Sequence, residues 1–536
     1  MRITNKIMQN NSLSNINLAK VAEDHRGSQV SSGKKIVRPS DDPIVAIRSL
    51  RLRSSVTEIT QYYSRNAKDA DAWLKTTEDA MQQVTDVLTD MIKQYDKGAN
   101  EYLTSADRNI ILEQLKSLKD EVYGTGNADY AGRYIFTGYR TESSLMFKEK
   151  TEKPYQITEQ LSASDLRTDT FVNTSFTDNN GVDRDLTDLK EGTQTDYVDV
   201  EENDIDKSEY HRIRLSYNNC DDNMTPVIAY KVKDATSPTG YTDKTLTAAR
   251  TVKSTDVPSP YTNVGDNEVV YLSDTGELLL GKDVYKELSG VVDDPLSTNV
   301  NEGEIRVTYQ KSEFQEGDLK PEHYFYGVAA GEDGNFDPAG TPNSDDIVYN
   351  PTYLDHGSKR QVIEYDVGFN QRLQVNTIAE ECFNPDVNRE VDDMIQALEK
   401  IQKIEDVVST LKNMLDKETD PAKQKILSDQ IDAANKAFTY QKDVVQKKFS
   451  TGLTAMQGFL NEVNVAVTGC GARGSRLELV SSRLSSQKST FEILKSENED
   501  VDLSEAVVQL TSAEQTYEAA LKATGKIMQV NLMDFI

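Results

Sequence analysis

Residues 52–94 read LRSSVTEITQYYSRNAKDADAWLKTTEDAMQQVTDVLTDMIKQ, and their apolar positions recur in alternating steps of four and three. Ten of the 13 positions in this register are apolar or aromatic. A seam kept over about six heptads is typical of a long helix that packs on a partner helix. The register therefore predicts helix-packing roles for Leu52, Val56, Ile59, Tyr63, Trp73, Val84 and Met91.

Local signals predict where the helices begin. Asp42 can cap a helix whose first residue is Pro43, and Asp420-Pro421 repeats that signal in the C-terminal flank. A second N-terminal helix is predicted after Gly98, with Ser105 and Asp107 at its start. Upstream of Pro421, a further helix contains Met394, Leu398, Ile401 and Val408.

The C-terminal flank carries the same periodicity in two registers separated at Asp502-Leu-Ser-Glu505, which resembles a capping box. Ile3 and Ile7 are the candidate packing positions at the N-terminus. The candidates in the C-terminal flank are Leu477, Val480, Leu484, Phe491, Leu494, Leu503, Val507, Leu510, Tyr517, Leu521 and Met528. Helices at both ends lack a core of their own, so we expect them to pack on each other.

Proline and tyrosine set the middle of the chain apart. Residues 150–388 hold 11 of the 14 prolines and 15 of the 25 tyrosines, a composition that favours strands and loops over helices. The predicted fold class is α+β and multidomain: long terminal helices packed as a coiled coil or helical bundle, with one or more inserted β-rich domains. The predicted divisions are 1–40, an N-terminal axial helix segment; 41–149, a helical core with a β-hairpin; 150–388, the β-rich insertion; 389–500, a C-terminal helical core; and 501–536, a C-terminal axial helix.

Charge and hydropathy exclude several classes of partner. The net charge is −29 and the pI about 4.6, which argues against binding to nucleic acid or to an anionic membrane surface. No apolar run is long enough to predict a transmembrane helix, and the N-terminus lacks the apolar region of a cleaved signal peptide. The cysteines, Cys220, Cys382 and Cys470, fit neither a disulfide framework nor a zinc spacing.

Several motifs match part of a catalytic or ligand-binding pattern, but each lacks the neighbouring residues that the function requires. Gly469–Gly474 matches G-x-G-x-x-G, but no second strand with an acidic residue follows, so a glycine-permitted junction between two helices is the better interpretation. Asp221-Asp222, Asp293-Asp294 and Asp345-Asp346 lack the spacing of a calcium loop. Asp355-His356-Gly357 has no accompanying nucleophile motif. We predict no catalytic residue, no metal ligand and no cofactor, and we do not expect an enzyme.

Several motifs in order at both ends resemble flagellins and flagellin-like hook-associated proteins. They include Val30–Ile36, Pro39–Pro43 and Tyr62–Asn66 at the N-terminal end, and Gly471–Arg473, Asn498–Asp502 and Leu532–Ile536 at the other. The resemblance covers about 145 residues at each end and stops in the middle. Tyr134–Gly138 followed by Phe147 is most similar to the members at the hook–filament junction.

The resemblance implies a structural subunit of the bacterial flagellum that joins the hook to the flagellin filament. It implies as partners other copies of the chain in a ring, the neighbouring hook-associated junction protein, flagellin and an export chaperone. It also implies terminal segments that are disordered when free, and secretion to the flagellum without a cleaved signal peptide. Flagellin itself, with a long variable domain, is the alternative; an enzyme or binding module in the acidic middle is a remote third.

Overall fold

The computed structural model describes residues 5–100, 103–178, 180–189, 200–238, 240–293, 302–331, 336, 345–354 and 361–529. The chain forms two compact units. Unit one comprises residues 1–71, 365–373 and 474–536, and unit two comprises residues 72–364 and 374–473. Long helices at both ends and strands in the middle confirm the predicted fold class.

Eight α-helices account for most of the regular structure in the described residues. They are α1 (Asn5–Ser32), α2 (Pro43–Gln61), α3 (Ala67–Asn100), α4 (Ser105–Thr125), α5 (Lys282–Ser289), α6 (Asp386–Lys417), α7 (Pro421–Glu499) and α8 (Leu503–Gln529). A π-helical turn, Tyr62–Asn66, links α2 to α3, so the predicted 52–94 seam is one helical run with a local irregularity.

Side-chain caps begin these helices where the sequence signals predict. The Asp42 carboxylate accepts hydrogen bonds from the backbone N–H groups of Ile44 and Val45, with Pro43 as the first helical residue. At α4 the cap is Thr104, one residue before the predicted start, and it forms a capping box with Asp107. Each cap satisfies N–H groups that have no partner inside the helix.

The predicted junction at Gly469–Gly474 is wrong, because α7 runs through all three glycines without a break. A glycine in a helix interior is less favourable than alanine by up to about 1 kcal/mol of helix stability, and tertiary contacts must offset that loss. Buried Val463 and Cys470 supply such packing on one side of this stretch. The Arg473 guanidinium adds hydrogen bonds to the Asn376 carbonyl at 2.7 Å and the Thr377 hydroxyl at 2.6 Å.

The helical core of unit two depends on a close approach between α3 and α7. Tyr95 and Phe449 are fully buried and pack edge to face, with ring centroids 6.0 Å apart. Gly98 faces the Phe449 ring and Gly452 faces the Tyr95 ring, and a Cβ on either glycine would lie 2.3 Å from a ring carbon. The two glycines therefore make room for the two rings.

The middle of the chain forms two main sheets. One has the strand order β10 (Arg250–Val252), β11 (Val269–Leu272), β12 (Glu277–Leu280), β7 (Asp206–Arg214), β4 (Arg167–Asn173), antiparallel except for β10 with β11. The other has the order β15 (Ile347–Tyr349), β14 (Tyr326–Ala329), β3 (Tyr155–Ser162), β13 (Glu304–Lys311), β8 (Val227–Lys233), β9 (Tyr241–Thr247), all antiparallel.

Six short strands complete the described structure as three hairpins. They pair β1 (Asp129–Tyr130) with β2 (Arg133–Tyr134), β5 (Ser175–Thr177) with β6 (Asp183–Asp185), and β16 (Glu364–Gly368) with β17 (Gln371–Gln374). The first of these lies within residues 41–149, for which the sequence predicts a helical core with a β-hairpin.

A buried ionic cluster fixes the five-stranded sheet to the helices of unit two. Arg212 on β7 contacts Glu277 on β12 and Asp393 on α6, and it lies 2.6 Å from Asp169 on β4. Burial alone would raise the pKa of Asp393, but the arginines 212 and 214 hold that pKa well below its usual value. Removing one member would leave uncompensated charges in the interior, which makes the attachment specific.

Gly452→Ala tests the close approach of α3 and α7, with Gly458→Ala as the matched control in the same helix. We expect Gly452→Ala to destabilise the protein by about 1–3 kcal/mol, because the new methyl group would overlap the Tyr95 ring. No atom lies within 4 Å of a Cβ at Gly458, so that variant should gain up to about 1 kcal/mol from helix propensity. Thermal or urea unfolding provides the measurement, and equal effects of the two changes would contradict the packing described.

Candidate assembly surface

Unit one buries little apolar surface of its own. Among its described residues, the large aliphatic side chains that are fully buried are Val367, Leu373, Leu477 and Leu484. By contrast, 17 large apolar side chains are exposed in the described part of this unit, against eight in the described part of unit two. An amphipathic helix normally stabilises itself by covering its apolar face, so unit one leaves that requirement unmet.

The exposed side chains of unit one form stripes rather than scattered points. On α2, Ile44, Ile47 and Leu50 follow one another at intervals of three and are 75%, 55% and 65% exposed. On α1, Leu18 and Val21 are each 67% exposed, although α1 packs along α8. On α8, the exposed large apolar residues in the described part are Leu503, Val507, Val508 and Leu521.

The connection between α1 and α2 is joined to the connection between α7 and α8. Gly33, with a positive φ of 67°, ends α1, and its carbonyl accepts a hydrogen bond of 3.0 Å from the Val501 N–H. The Lys35 N–H in turn donates to the Glu499 carbonyl at 2.7 Å. Residues near the two ends of the chain therefore meet through backbone hydrogen bonds.

Glu499 is the buried carboxylate at the centre of this connection. Its side chain is 3% exposed and accepts hydrogen bonds from Arg53 at 2.6 and 2.8 Å, from Lys34 at 3.4 Å and from the Ser49 hydroxyl. The hydrogen bond from Arg53 is the main reason that the pKa of Glu499 falls to about 2. Lys34 also donates to Asp500 at 2.5 Å, which lowers the pKa of that carboxyl group and raises the pKa of Lys34. We call these residues the Glu499 cluster.

Formal charge is distributed unevenly between the two units. Unit one has 19 Lys and Arg residues against 18 Asp and Glu, whereas unit two has 41 against 71. The whole net negative charge of the protein therefore belongs to unit two, and unit one is close to neutral. A nearly neutral helical unit with apolar stripes presents little electrostatic barrier to association.

The packing residues predicted from the sequence fall into three groups. Trp73, Val84 and Met91 are fully buried in unit two, as are Leu477 and Leu484 in unit one. Half-buried positions are Leu52, Val56, Ile59, Tyr63, Val480, Phe491, Leu510 and Tyr517. Exposed positions are Ile7, Leu494, Leu503, Val507 and Leu521. Ile3 lies outside the described residues and Met528 is in α8; a role for any of the 20 in assembly stays a prediction.

Three strongly exposed apolar residues of unit one were not predicted from the sequence. Ile44, Ile47 and Leu50 lie outside the heptad registers, which identify the seam between helices and not a second apolar face. Their spacing of three was a signal that the sequence contained. That spacing indicates a second apolar face only when the helix that packs on the heptad positions is already known.

The structure places most of the acidic pairs singled out in the sequence. The described residues contain no group of three or more His, Cys, Asp or Glu side chains placed to hold a metal ion. Asp221 accepts hydrogen bonds from Ser312, and Asp346 accepts one from the Gly331 N–H, so these acidic pairs have contacts within loops. His356 lies outside the described residues. No helix in the described part of the chain has the length and apolarity needed to cross a bilayer.

The N-terminal helices are similar to a region found in known proteins. Residues 3–141 match the bacterial flagellin N-terminal helical region. The chain is 29% identical over 151 residues to flagellar hook-associated protein 3 of Escherichia coli strain K12, an alignment that covers 28% of this chain and 47% of that protein. It is also 29% identical over 122 residues to a flagellin of Clostridium tyrobutyricum, covering 23% and 32%.

A solved structure titled as a putative flagellar hook-associated protein from Vibrio parahaemolyticus aligns with 86% of this chain and all of its own, at 14% identity and a TM-score of 0.35. The chain spans less than half the length of the Escherichia coli hook-associated protein and of the Clostridium tyrobutyricum flagellin. The resemblance predicted from the terminal motifs is confirmed.

Glu499→Gln, with exposed Glu497→Gln as its control, tests the Glu499 cluster. At pH 7 we expect the Glu499 variant to lose about 1–2 kcal/mol of stability in unit one, because a neutral amide replaces a carboxylate with charged donors. The folded pKa of Glu499 lies below its ordinary value of 4.5. Its contribution is therefore complete above pH 4.5 and lost as the pH falls toward 2.

The measurement is unfolding of wild type and both variants between pH 7 and pH 2. The stability gap between wild type and Glu499→Gln should shrink over that range, while Glu497→Gln follows the wild type throughout. A gap that stays constant with pH would contradict the role assigned to the Glu499 carboxylate.

Proposed function

We propose that this protein is a structural subunit of the bacterial flagellum that joins the hook to the flagellin filament. The observation that carries the proposal is unit one: helices with exposed apolar stripes, in a chain that is similar over 151 residues to flagellar hook-associated protein 3. The similarity to that flagellar protein and the match of residues 3–141 to the bacterial flagellin N-terminal helical region support a flagellar location.

Burial of the exposed stripes supplies the driving force for assembly. Covering one Ile, Leu or Val side chain contributes about 1.5–3 kcal/mol, and unit one exposes many such side chains. The occupant that we propose is unit one of further copies of this chain, because a nearly neutral surface does not repel itself. Unit two, with 71 acidic residues against 41 basic ones, is proposed to face solvent, where its charge keeps neighbouring copies apart.

Further partners follow from the same proposal. A ring of copies would contact the neighbouring hook-associated junction protein on one side and flagellin on the other. Before assembly, an export chaperone would cover the stripes during secretion without a cleaved signal peptide. The segments 1–40 and 501–536 would order fully only in the assembled structure, since exposed apolar faces offset little of the entropy lost on ordering.

Flagellin is the second candidate, and one observation favours it: the similarity to the Clostridium tyrobutyricum flagellin. The two candidates share the same assembly chemistry and differ in where the subunit is placed. A junction subunit occupies a short ring, whereas a filament subunit repeats along the whole length.

Labelling this protein on intact flagella separates the two candidates. An antibody against unit two, viewed by electron microscopy, should mark one short band at the boundary between hook and filament. Staining along the whole filament would contradict the junction role and favour flagellin. No staining of any part of the flagellum would contradict both.

Substitution of an exposed stripe residue tests the assembly surface. Val508→Glu changes a 68% exposed side chain on α8, and Val182→Glu changes a 51% exposed side chain in unit two as the matched control. Both variants should fold, because neither buries the new charge in the monomer. We expect Val508→Glu to lower the number of attached filaments per cell at least about tenfold, since assembly would desolvate the carboxylate. Val182→Glu should retain filaments, and equal counts in the two strains would contradict the proposed surface.

A further inference from the structure

A cleft in unit two, remote in sequence from the helices of unit one, has the size of a ligand site. Its volume is about 880 Å³, within the range of small-molecule pockets. The segment from Tyr139 to Glu149 forms most of its wall, and Lys320 and Glu322 close it from a second segment. We call it the 139–149 cleft.

Three cations line the 139–149 cleft in a protein of strongly negative net charge. They are Arg140, Lys148 and Lys320, and none of them has a carboxylate oxygen within 4 Å among the described residues. Each instead lies over an aromatic ring: Arg140 is 4.3 Å from the Tyr349 centroid, Lys148 is 5.5 Å from that of Tyr134, and Lys320 is 5.7 Å from that of Phe147. Ring contacts leave N–H donors without anionic acceptors.

Lys320 is held in place from within the protein. Its ammonium group donates to the Ser143 hydroxyl at 2.9 Å, and that hydroxyl donates to the Glu322 carboxylate at 2.8 Å. Partial burial, and then repulsion from Lys148, lower the pKa of Lys320 against the pull of Glu322. An anion bound beside both lysines would offset the repulsion between them.

The other lining groups have a different chemistry. Glu142 and Glu149 are exposed at the rim, where a carboxylate can accept hydrogen bonds from hydroxyl groups. Tyr139 is 66% exposed and Phe147 is half-buried, and both offer aromatic surface on which an apolar ring face can pack. A simple inorganic anion would use the cations but neither the rim carboxylates nor the rings.

We propose that the 139–149 cleft binds a carboxylated sugar, such as a uronic acid residue of an acidic polysaccharide. Arg140, Lys148 and Lys320 would take the carboxylate, Glu142 and Glu149 would accept sugar hydroxyls, and Tyr139 with Phe147 would pack on the ring. This proposal gives a role to the cations, the exposed carboxylates and the aromatic rings of the wall, and it does not depend on the flagellar role.

Calorimetric titration of the full chain with trigalacturonic acid tests this proposal, with maltotriose and inorganic phosphate as comparison probes. We expect trigalacturonic acid to bind at least about tenfold more tightly than maltotriose, which lacks the carboxylate, and than phosphate, which lacks the ring. Arg140→Gln and Lys148→Gln, both exposed positions, should each weaken binding about tenfold. Lys150→Gln, outside the cleft, is the matched control and should leave binding within about twofold.

Three results would overturn the proposal. The first is no heat of binding with trigalacturonic acid at millimolar concentration. The second is unchanged affinity in both cleft variants, or the same loss in Lys150→Gln. The third is phosphate binding as tightly as trigalacturonic acid, which would show that the cleft recognises charge alone.

Discussion

A long amphipathic helix persists in water only while its apolar face is covered, and the two units of this chain meet that condition in different ways. In unit two, α3, α4, α6 and α7 bury large side chains such as Tyr95, Met91 and Phe449 completely. In unit one, α2 exposes Ile44, Ile47 and Leu50, and the fully buried aliphatic residues are few. Unit two therefore covers most of its own apolar faces, whereas unit one leaves stripes open that we propose are covered on assembly.

Two clusters of charge impose specificity where apolar packing does not. The Glu499 cluster joins residues near the N-terminal end of the chain to residues near its C-terminal end through Lys34, Arg53 and backbone hydrogen bonds. The cluster around Arg212 attaches a sheet of the inserted region to α6 through Asp393. In both, a carboxylate leaves water only because cationic donors surround it, so each contact tolerates few alternative arrangements.

Capping residues and apolar periodicity in the sequence predicted the helices near both ends of the chain. Asp42-Pro43 and Asp420-Pro421 begin helices where capping chemistry requires, and the register through Met394, Leu398 and Ile401 marks the buried face of α6. The predicted break at Gly469–Gly474 failed because glycine propensity is a weak local preference that packing overrides. The three glycines give no information about the neighbouring residues whose packing stabilises the helix at this point.

The sites proved harder to predict than the helices, because they assemble from distant residues. Arg212, Glu277 and Asp393 come from three separate segments, and no spacing rule relates them. The 139–149 cleft needs Lys320 from a loop more than 170 residues away. The Glu499 cluster is similar, since Arg53 and Glu499 are 446 positions apart. A single sequence records each residue but not the contact that gives it a role.

The central claim is that the stripes of unit one are open in the monomer and covered in the flagellum. The native thiols of Cys220, Cys382 and Cys470 are buried, so one introduced cysteine can be labelled selectively. Maleimide labelling of Val508→Cys should be fast in the purified monomer and at least about tenfold slower in isolated flagella, while Val182→Cys reacts in both. If Val508→Cys reacts at the same rate in the two states, the stripe is not an assembly surface and the account is wrong.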